Sequence, residues 1–124
     1  MTKSKLMECR FLVPLRRDVE ISDGNLHETD CWQWLDHELA GRFGGRTKFA
    51  EQLQGIWKNP KTGALTSDES IQFIVAVLEE SLDELRAVLS LVCVQFAQQC
   101  IYLSIAGTVE FVEPKDDNDP PQLC

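Results

Sequence analysis

The sequence lacks any long apolar run. Its longest largely apolar stretch, from Ala87 to Ala97, is interrupted by Ser90 and Gln95, whereas a transmembrane helix needs roughly 20 apolar residues. The apolar residues 11–14 near the N-terminus are also fewer than the about 7–15 of a signal-peptide core. The sequence therefore predicts neither a membrane protein nor an exported one, and we expect a cytoplasmic location.

Cysteine occurs five times but never as a C-x-x-C pair. An odd number without that spacing favours neither a disulfide framework nor a zinc knuckle, so reduced thiols are expected. The two histidines, His27 and His37, have Asp30 and other acids nearby, yet their spacing does not bring the groups together. We interpret them as surface residues, with Asp30 as a helix cap, and predict no metal and no cofactor.

The motifs of several enzyme classes are also missing. No G-x-G-x-x-G, G-K-[ST] or G-x-S-x-G occurs, which argues against dinucleotide binding, a P-loop and a serine nucleophile. Gly44 and Gly45 follow a predicted helix, whereas phosphate cradles form at helix N-termini. The sequence therefore names no catalytic residue.

Basic residues are outnumbered, with 12 lysines and arginines against 20 acids and a net charge of −8. The averaged field repels phosphate backbones and anionic lipids, so we expect neither nucleic acid nor membrane as a partner. Two small arginine groups, within residues 10–17 and 42–48, are interpreted as solvated surface charge. The length and the 44% hydrophobic content are typical of one globular domain.

Hydrophobic periodicity predicts six elements. They are a strand over 6–15, a helix over 31–43, strands over 47–59 and 71–78, a helix that opens at Ser81 and ends at Cys100, and a strand over 101–111. This order predicts an α+β, ferredoxin-like βαββαβ fold, with two helices on one face of a four-stranded antiparallel sheet. We expect this domain to span residues 1–114. Residues 115–124 form an acidic, proline-containing tail outside the core.

Local signals mark the ends of these elements. Asp30 with Gln33, and Ser81 with Glu84, have capping-box spacing at the two helix starts.

Glycines mark the turns and one irregularity. Gly44 and Gly45 end the first helix, and Gly63 closes a turn between the two middle strands. Gly107 predicts a bulge in the last strand.

One string of residues resembles a known group. The matching residues are Phe43, Gly44, Gly45, Thr47, Gly55, Trp57, Gly63, Asp68 and Ser70. The string resembles a family of short, uncharacterised bacterial proteins with an F-G-G-x-T turn, a G-x-W strand and a D-x-S pattern, over residues 6–112. The resemblance implies no activity and favours the same fold.

Exposed aromatic residues are the best functional candidates. Trp34 lies opposite Trp32 on its helix, so either its indole forms a contact surface or a long loop covers it. Trp57 and Phe49 are expected to line the open sheet face, where they could bind a ligand or a second subunit.

Two functions are therefore carried forward. The leading hypothesis is a non-enzymatic binding module that forms a homodimer through the open sheet face, where Ile74, Ala76 and Leu78 need cover. The alternative is a dimeric α+β-barrel-type enzyme with a small apolar substrate near Trp57, Tyr102 and His37. Binding of RNA on the sheet is disfavoured, because the charge is acidic and the basic–aromatic signature is missing.

Overall fold

The computed structural model describes residues 5–115, so the predicted tail lies almost wholly outside the described residues. In chain order the elements are β1 (Leu6–Pro14), α1 (Thr29–Phe43), β2 (Thr47–Lys48), β3 (Leu53–Lys58), β4 (Leu65–Leu78), α2 (Leu82–Gln95), β5 (Ile101–Ile105) and β6 (Thr108–Val112). A 3₁₀ turn, Glu79–Ser81, joins β4 to α2.

The strands form one antiparallel sheet around β1. Its nine residues pair with β4 from Leu6 opposite Leu78 to Pro14 opposite Ser70. On its other side β1 pairs with β5, and β5 pairs with β6. Both β2 and β3 pair with the far edge of β4. The predicted α+β class with two helices and an antiparallel sheet is confirmed, but the sheet has six strands and not four.

Buried side chains occupy every second position along much of the central strands, and these side chains form the core. Cys9, Phe11 and Val13 are fully buried, and the Phe11 ring stacks on Phe73 of β4 with centroids 5.1 Å apart. Both helices contribute to the same cluster of buried residues. Their buried members are Cys31, Leu35 and Leu39 from α1, and Leu85, Val88, Leu89, Val92 and Cys93 from α2. One face of the sheet is therefore covered by both helices.

The predicted strand over 47–59 is two short strands. Between the pair Lys48–Phe73 and the pair Leu53–Ser70, residues 49–52 lie opposite only residues 71–72. Two extra residues in this segment interrupt the ladder and form a bulge at residues 49–52. Gly55 pairs regularly with β4.

The predicted final strand is a hairpin. Ala106 and Gly107 both have positive φ, 49° and 91°, and form the two-residue turn between β5 and β6. Such a turn matches the twist of the strands it joins, so Gly107 is a turn residue and not a bulge.

The helix ends differ from the expectations. α1 begins at Thr29 after Glu28, so Asp30 lies in the first turn and makes no cap. Ser81 is the N-cap of α2, but it also forms no side-chain cap bond. α2 ends at Gln95 and not at Cys100, because Phe96 leaves helical geometry and Ala97 has a φ of 49°.

The predicted turn glycines have the backbone angles that turns require. Gly44 has a φ of 83° and its N–H donates to the Ala40 carbonyl, which closes α1. Gly45 and Gly63 also have positive φ.

Among the described residues three thiols are free, and two of them belong to the core. Cys9 and Cys93 are buried, whereas Cys100 is exposed.

Within residues 5–115, neither helix is long and apolar enough to cross a bilayer.

Burial within α2 gives a direct test of this packing. We expect Leu89→Ala to lower the free energy of unfolding by about 2–5 kcal/mol, because Leu89 is fully buried. The matched change Leu91→Ala lies on the same helix, where Leu91 is 43% exposed, and should change stability by only about 0.5 kcal/mol. Urea unfolding measures both, and equal losses would contradict the orientation of α2.

Candidate functional site

A cleft of about 570 Å³ lies where β1 ends. One wall is the connection from β1 to α1, from Pro14 to Leu26, and the other is the hairpin of β3 and β4. The cleft exists because β4 is longer than its neighbour: β1 pairs only as far as Ser70, and residues 65–69 pair with β3 alone. The β3–β4 hairpin therefore projects beyond the body of the sheet.

The connection that forms the first wall is folded on itself. The Arg17 N–H donates to the Asn25 carbonyl at 2.8 Å, and the Arg17 guanidinium holds both Asp23 oxygens at 2.7 and 2.9 Å. This pairing lowers the pKa of Asp23 to about 2. Gly24 has a φ of 74°, and a Cβ there would lie 2.5 Å from the Val19 side chain. The wall is therefore a closed loop and not an extended linker.

The segment after α2 anchors this loop from behind. The Gln98 side chain, 6% exposed, donates from Nε2 to the carbonyls of Arg16 at 2.8 Å and Phe96 at 2.9 Å. The Asp18 N–H donates to the Ala97 carbonyl at 3.0 Å.

Glu20 links the loop to the opposite wall. It accepts hydrogen bonds from Gln99 at 2.8 Å and, across the cleft, from the Asn59 amide at 2.9 Å. The loop and the hairpin are therefore joined at one end of the cleft.

The hairpin wall presents a partly buried carboxylate. Asp68 lies opposite Gly55 in the ladder, and a Cβ on Gly55 would be 3.0 Å from Asp68 Oδ1. Burial raises the pKa of Asp68. Within residues 5–115 its carboxylate forms no hydrogen bond or ion pair, so it is available to a ligand.

Three further residues complete the cleft. Trp57, 39% exposed, and Glu69 belong to the hairpin wall. Arg16 belongs to the loop wall, and its guanidinium has no ion-pair partner in the described part of the chain. Trp57, Asp68, Glu69 and Arg16 therefore line one cleft.

Only one of the aromatic and histidine candidates lies in this cleft, and it is Trp57. Phe49 is 38% exposed in the connection between β2 and β3. Tyr102 packs against Phe111 with ring centroids 5.8 Å apart, and His37 is exposed on α1. None of these three lines the cleft.

Trp34 is half-buried and not an exposed indole. Its ring packs on Phe96 with centroids 6.5 Å apart. Phe96, which follows α2, covers the Trp34 indole, in contrast to the long loop expected as an alternative from the sequence.

His27 is buried, in contrast to the predicted surface position, with 8% of its surface exposed. Among residues 5–115, no three side chains of the metal-ligating types come together.

The arginine groups are mostly neutralised by neighbours. Arg10 pairs with Glu8, Arg17 with Asp23 and Arg46 with Asp36. Arg42 pairs with both Glu38 and Glu84.

The sequence pattern assigns no function to Arg16, Asp68 or Glu69: Arg16 belongs to an arginine group interpreted as solvated surface charge, and Asp68 is marked only by the D-x-S string. A signal was present. Antiparallel pairing counted outward from the turn at residues 59–64 places the glycine of G-x-W opposite the aspartate of D-x-S. A glycine opposite a half-buried acid marks a position where the carboxylate can lie over the strand.

No family model and no curated protein matches this chain. Two solved structures do. A phage SAM lyase in complex with S-methyl-5'-thioadenosine aligns with a TM-score of 0.66 and 15% identity, over 95% of this chain and 97% of that chain. A phage SAM lyase in the apo state aligns with a TM-score of 0.64 and 16% identity, over 90% and 92%. At this identity the likeness shows a shared fold.

This likeness corrects the leading functional expectation. Both structures that share the fold over nearly the whole chain are enzymes, and one of them holds a small molecule. The hypothesis of a non-enzymatic homodimeric module is therefore wrong, and the enzyme alternative is the better supported of the two.

The contact between Gly55 and Asp68 can be tested by titration. In the wild type we expect the Asp68 pKa above its ordinary value of about 3.9. Gly55→Ala should push the carboxylate towards water and lower that pKa, measured from the side-chain ¹³C shift.

Gly41→Ala is the control, because a Cβ there meets nothing within 4 Å. It should leave the Asp68 titration unchanged. An Asp68 pKa that stays the same or rises in Gly55→Ala would contradict the described position of the carboxylate.

Proposed function

We propose that this chain is an enzyme that cleaves S-adenosylmethionine (SAM) at a carbon–sulfur bond and releases S-methyl-5'-thioadenosine. The observation that carries the proposal is the near full-length fold match to a SAM lyase with that compound bound. The cleft supports it independently, since its volume of about 570 Å³ falls within the about 300–1,000 Å³ of small-molecule sites.

The reaction moves one electron pair onto sulfur. In SAM the sulfonium carries a positive charge, and breaking its bond to the four-carbon amino-acid part leaves a neutral thioether. The carbon fragment gives up a proton or closes on its own carboxylate, so no water or oxidant is consumed. A site for this reaction needs anionic groups for the sulfonium and ammonium, a cation for the carboxylate, and a flat apolar surface for adenine.

The available carboxylate of Asp68 meets the first need. Asp68 lies on the hairpin wall without an ion-pair partner among residues 5–115 and is partly withdrawn from water. In such a medium an attraction to a cation about 4 Å away is on the order of a few kcal/mol. Asp68 would hold the sulfonium.

Arg16 and Trp57 meet the other needs. The Arg16 guanidinium, on the opposite wall, has the fork geometry that carboxylates prefer. Trp57 offers a partly exposed indole for stacking of the adenine ring. The substrate would therefore span the cleft, with its two ends held by different walls.

Turnover of SAM tests this assignment. Purified wild type should form S-methyl-5'-thioadenosine, detected by liquid chromatography and mass spectrometry. Asp68→Asn should weaken binding of SAM and so lower kcat/KM by about tenfold to a hundredfold, because the carboxylate that attracts the positive sulfonium is lost.

Glu51→Gln is a matched control, since it removes the same charge from an exposed position outside the cleft. It should retain wild-type turnover. Absence of product with correctly folded wild type would overturn the proposed function.

Product binding tests the stacking surface. Trp57→Ala should weaken binding of S-methyl-5'-thioadenosine by roughly tenfold to a hundredfold, as expected from about 1–3 kcal/mol per stacked base. Ile56→Ala is the control, because Ile56 is the adjacent residue, 70% exposed, and does not line the cleft. Isothermal titration calorimetry measures both, and equal effects would remove Trp57 from the site.

The finer description of the fold is also a proposal. We infer a ferredoxin-like core of β1, β3, β4 and β5 with β6 added at one edge. The order β4-β1-β5, with β3 beyond β4, and the two helical crossovers support it. Membership of the bacterial F-G-G-x-T family stays a prediction.

A homodimer through the open sheet face remains a proposal about how the enzyme assembles. A cytoplasmic location also remains a proposal. Apolar side chains on that face support it: Ile74 is half-buried, and Ala76 and Leu78 are exposed. Native mass spectrometry at micromolar concentration tests it, and a monomer there would count against it.

A further inference from the structure

His27 is a buried titratable side chain next to the cleft wall, and only one of its two ring nitrogens has a hydrogen-bond partner among residues 5–115. Its Nε2 lies 2.8 Å from the Pro14 carbonyl oxygen, and its backbone N–H donates to the Leu15 carbonyl at 3.3 Å. A carbonyl only accepts, so the proton of the neutral ring is on Nε2 and the lone pair is on Nδ1.

That lone pair faces an apolar enclosure. The ring meets Phe96 edge-on at a centroid distance of 4.8 Å and Trp32 at 5.6 Å. Nδ1 is buried and has no hydrogen-bond partner among residues 5–115. A second proton would therefore create a buried donor without an acceptor on a charged ring, which is strongly unfavourable.

The surrounding charges do not compensate for this enclosure. Burial lowers the pKa of His27, and the hydrogen bond to Pro14 opposes the shift. In the loop, the positive charge of Arg17 lowers the pKa of His27 and the negative charge of Asp23 raises it, but these two side chains already pair with each other.

Among residues 5–115, the other rings packed on His27 bring no charge to it, since they are Phe96, after α2, and Trp32 of α1. The outer face of Trp32 carries the Lys48 ammonium at 5.3 Å. The folded state therefore favours a neutral His27.

The atoms that His27 holds belong to the cleft. The Leu15 N–H donates to the Glu69 carbonyl at 2.8 Å, which joins this segment to the opposite wall. The next residue is Arg16, whose carbonyl is held from the other side by Gln98. His27 and Gln98 thus brace the short segment 14–16 from two elements, and that segment carries the available guanidinium of the cleft.

We propose that His27 is a positioning residue whose protonation releases segment 14–16 and the loop that it begins, so that the cleft opens and loses its ligand in acid. The ligand part of this inference rests on the proposed function, whereas the release of the loop does not. The released ring takes its second proton from solvent on Nδ1.

The direction with pH follows from the lowered pKa of the folded state. Above the ordinary histidine pKa of about 6.5 the ring is neutral whether the loop is docked against the hairpin wall or released from it. Protonation therefore does not favour release in this pH range, and the docked form has its full stability. As pH falls below that value the released form gains a proton first. Docking then weakens by up to about tenfold per pH unit, until the pKa of the docked form is passed.

The experiment uses the fact that the chain has only two histidines. His37→Gln removes the exposed one, and imidazole NMR of that variant reports on His27 alone. We expect the Nε2-protonated neutral form near pH 7 and a pKa below about 6.5. A pKa at or above that value would overturn the inference without any need for a second variant.

Amide hydrogen exchange then follows residues 14–26 from about pH 7.5 to about pH 5, corrected for intrinsic rates. In the His37→Gln protein, protection should fall with a midpoint at the measured His27 transition. In His27→Gln, whose amide can still donate to Pro14 but cannot titrate, protection should not depend on pH. An equal pH dependence in both proteins, or global unfolding before the loop opens, would contradict the inference.

Calorimetry with S-methyl-5'-thioadenosine at the same two pH values separates the two proposals. We expect weaker binding in acid for His37→Gln and little change for His27→Gln. No binding at any pH would overturn the proposed function, while hydrogen exchange would still decide the role of His27. Binding with the same pH dependence in both proteins would show that His27 does not control the cleft.

Discussion

The unequal length of the two central strands determines where chemistry can occur in this fold. β4 continues past the point where β1 turns away at Pro14, and its residues 65–69 have only β3 as a neighbour. A two-stranded hairpin is weakly stable alone, so it needs a further contact. The loop after β1 supplies that contact through the Leu15–Glu69 hydrogen bond and through Glu20 with Asn59.

The resulting cleft lies between two kinds of wall. The hairpin is a regular ladder, which places Asp68 and Trp57 at defined positions. The loop is held by individual hydrogen bonds to Gln98 and Gln99 and by the His27 ring. A regular wall can align reacting groups, while a loop held by few bonds can open for entry and release.

The parts of the fold that depend on local pattern could be predicted from the sequence. The apolar stripes of both helices place Leu35, Leu39 and Leu85 in the core, as predicted. The turn after Asn59 also lies where proline and glycine indicate.

Features set by distant contacts could not be predicted. His27 is buried only because Phe96, far along the chain, covers it. Ala106 adopts a positive φ, and an alanine in the sequence does not indicate such a backbone angle. The position of the Asp68 carboxylate depends on Gly55 across the ladder, and the cleft beside it depends on a loop closed by the pair of Arg17 and Asp23. These positions follow from tertiary packing, which propensity and periodicity do not encode.

A crystal structure with S-methyl-5'-thioadenosine bound would test the central claim most directly. The account predicts the adenine ring stacked on Trp57 and the thioether sulfur beside Asp68, between the hairpin and the loop. A ligand bound elsewhere on the molecule, with these two side chains untouched, would contradict it.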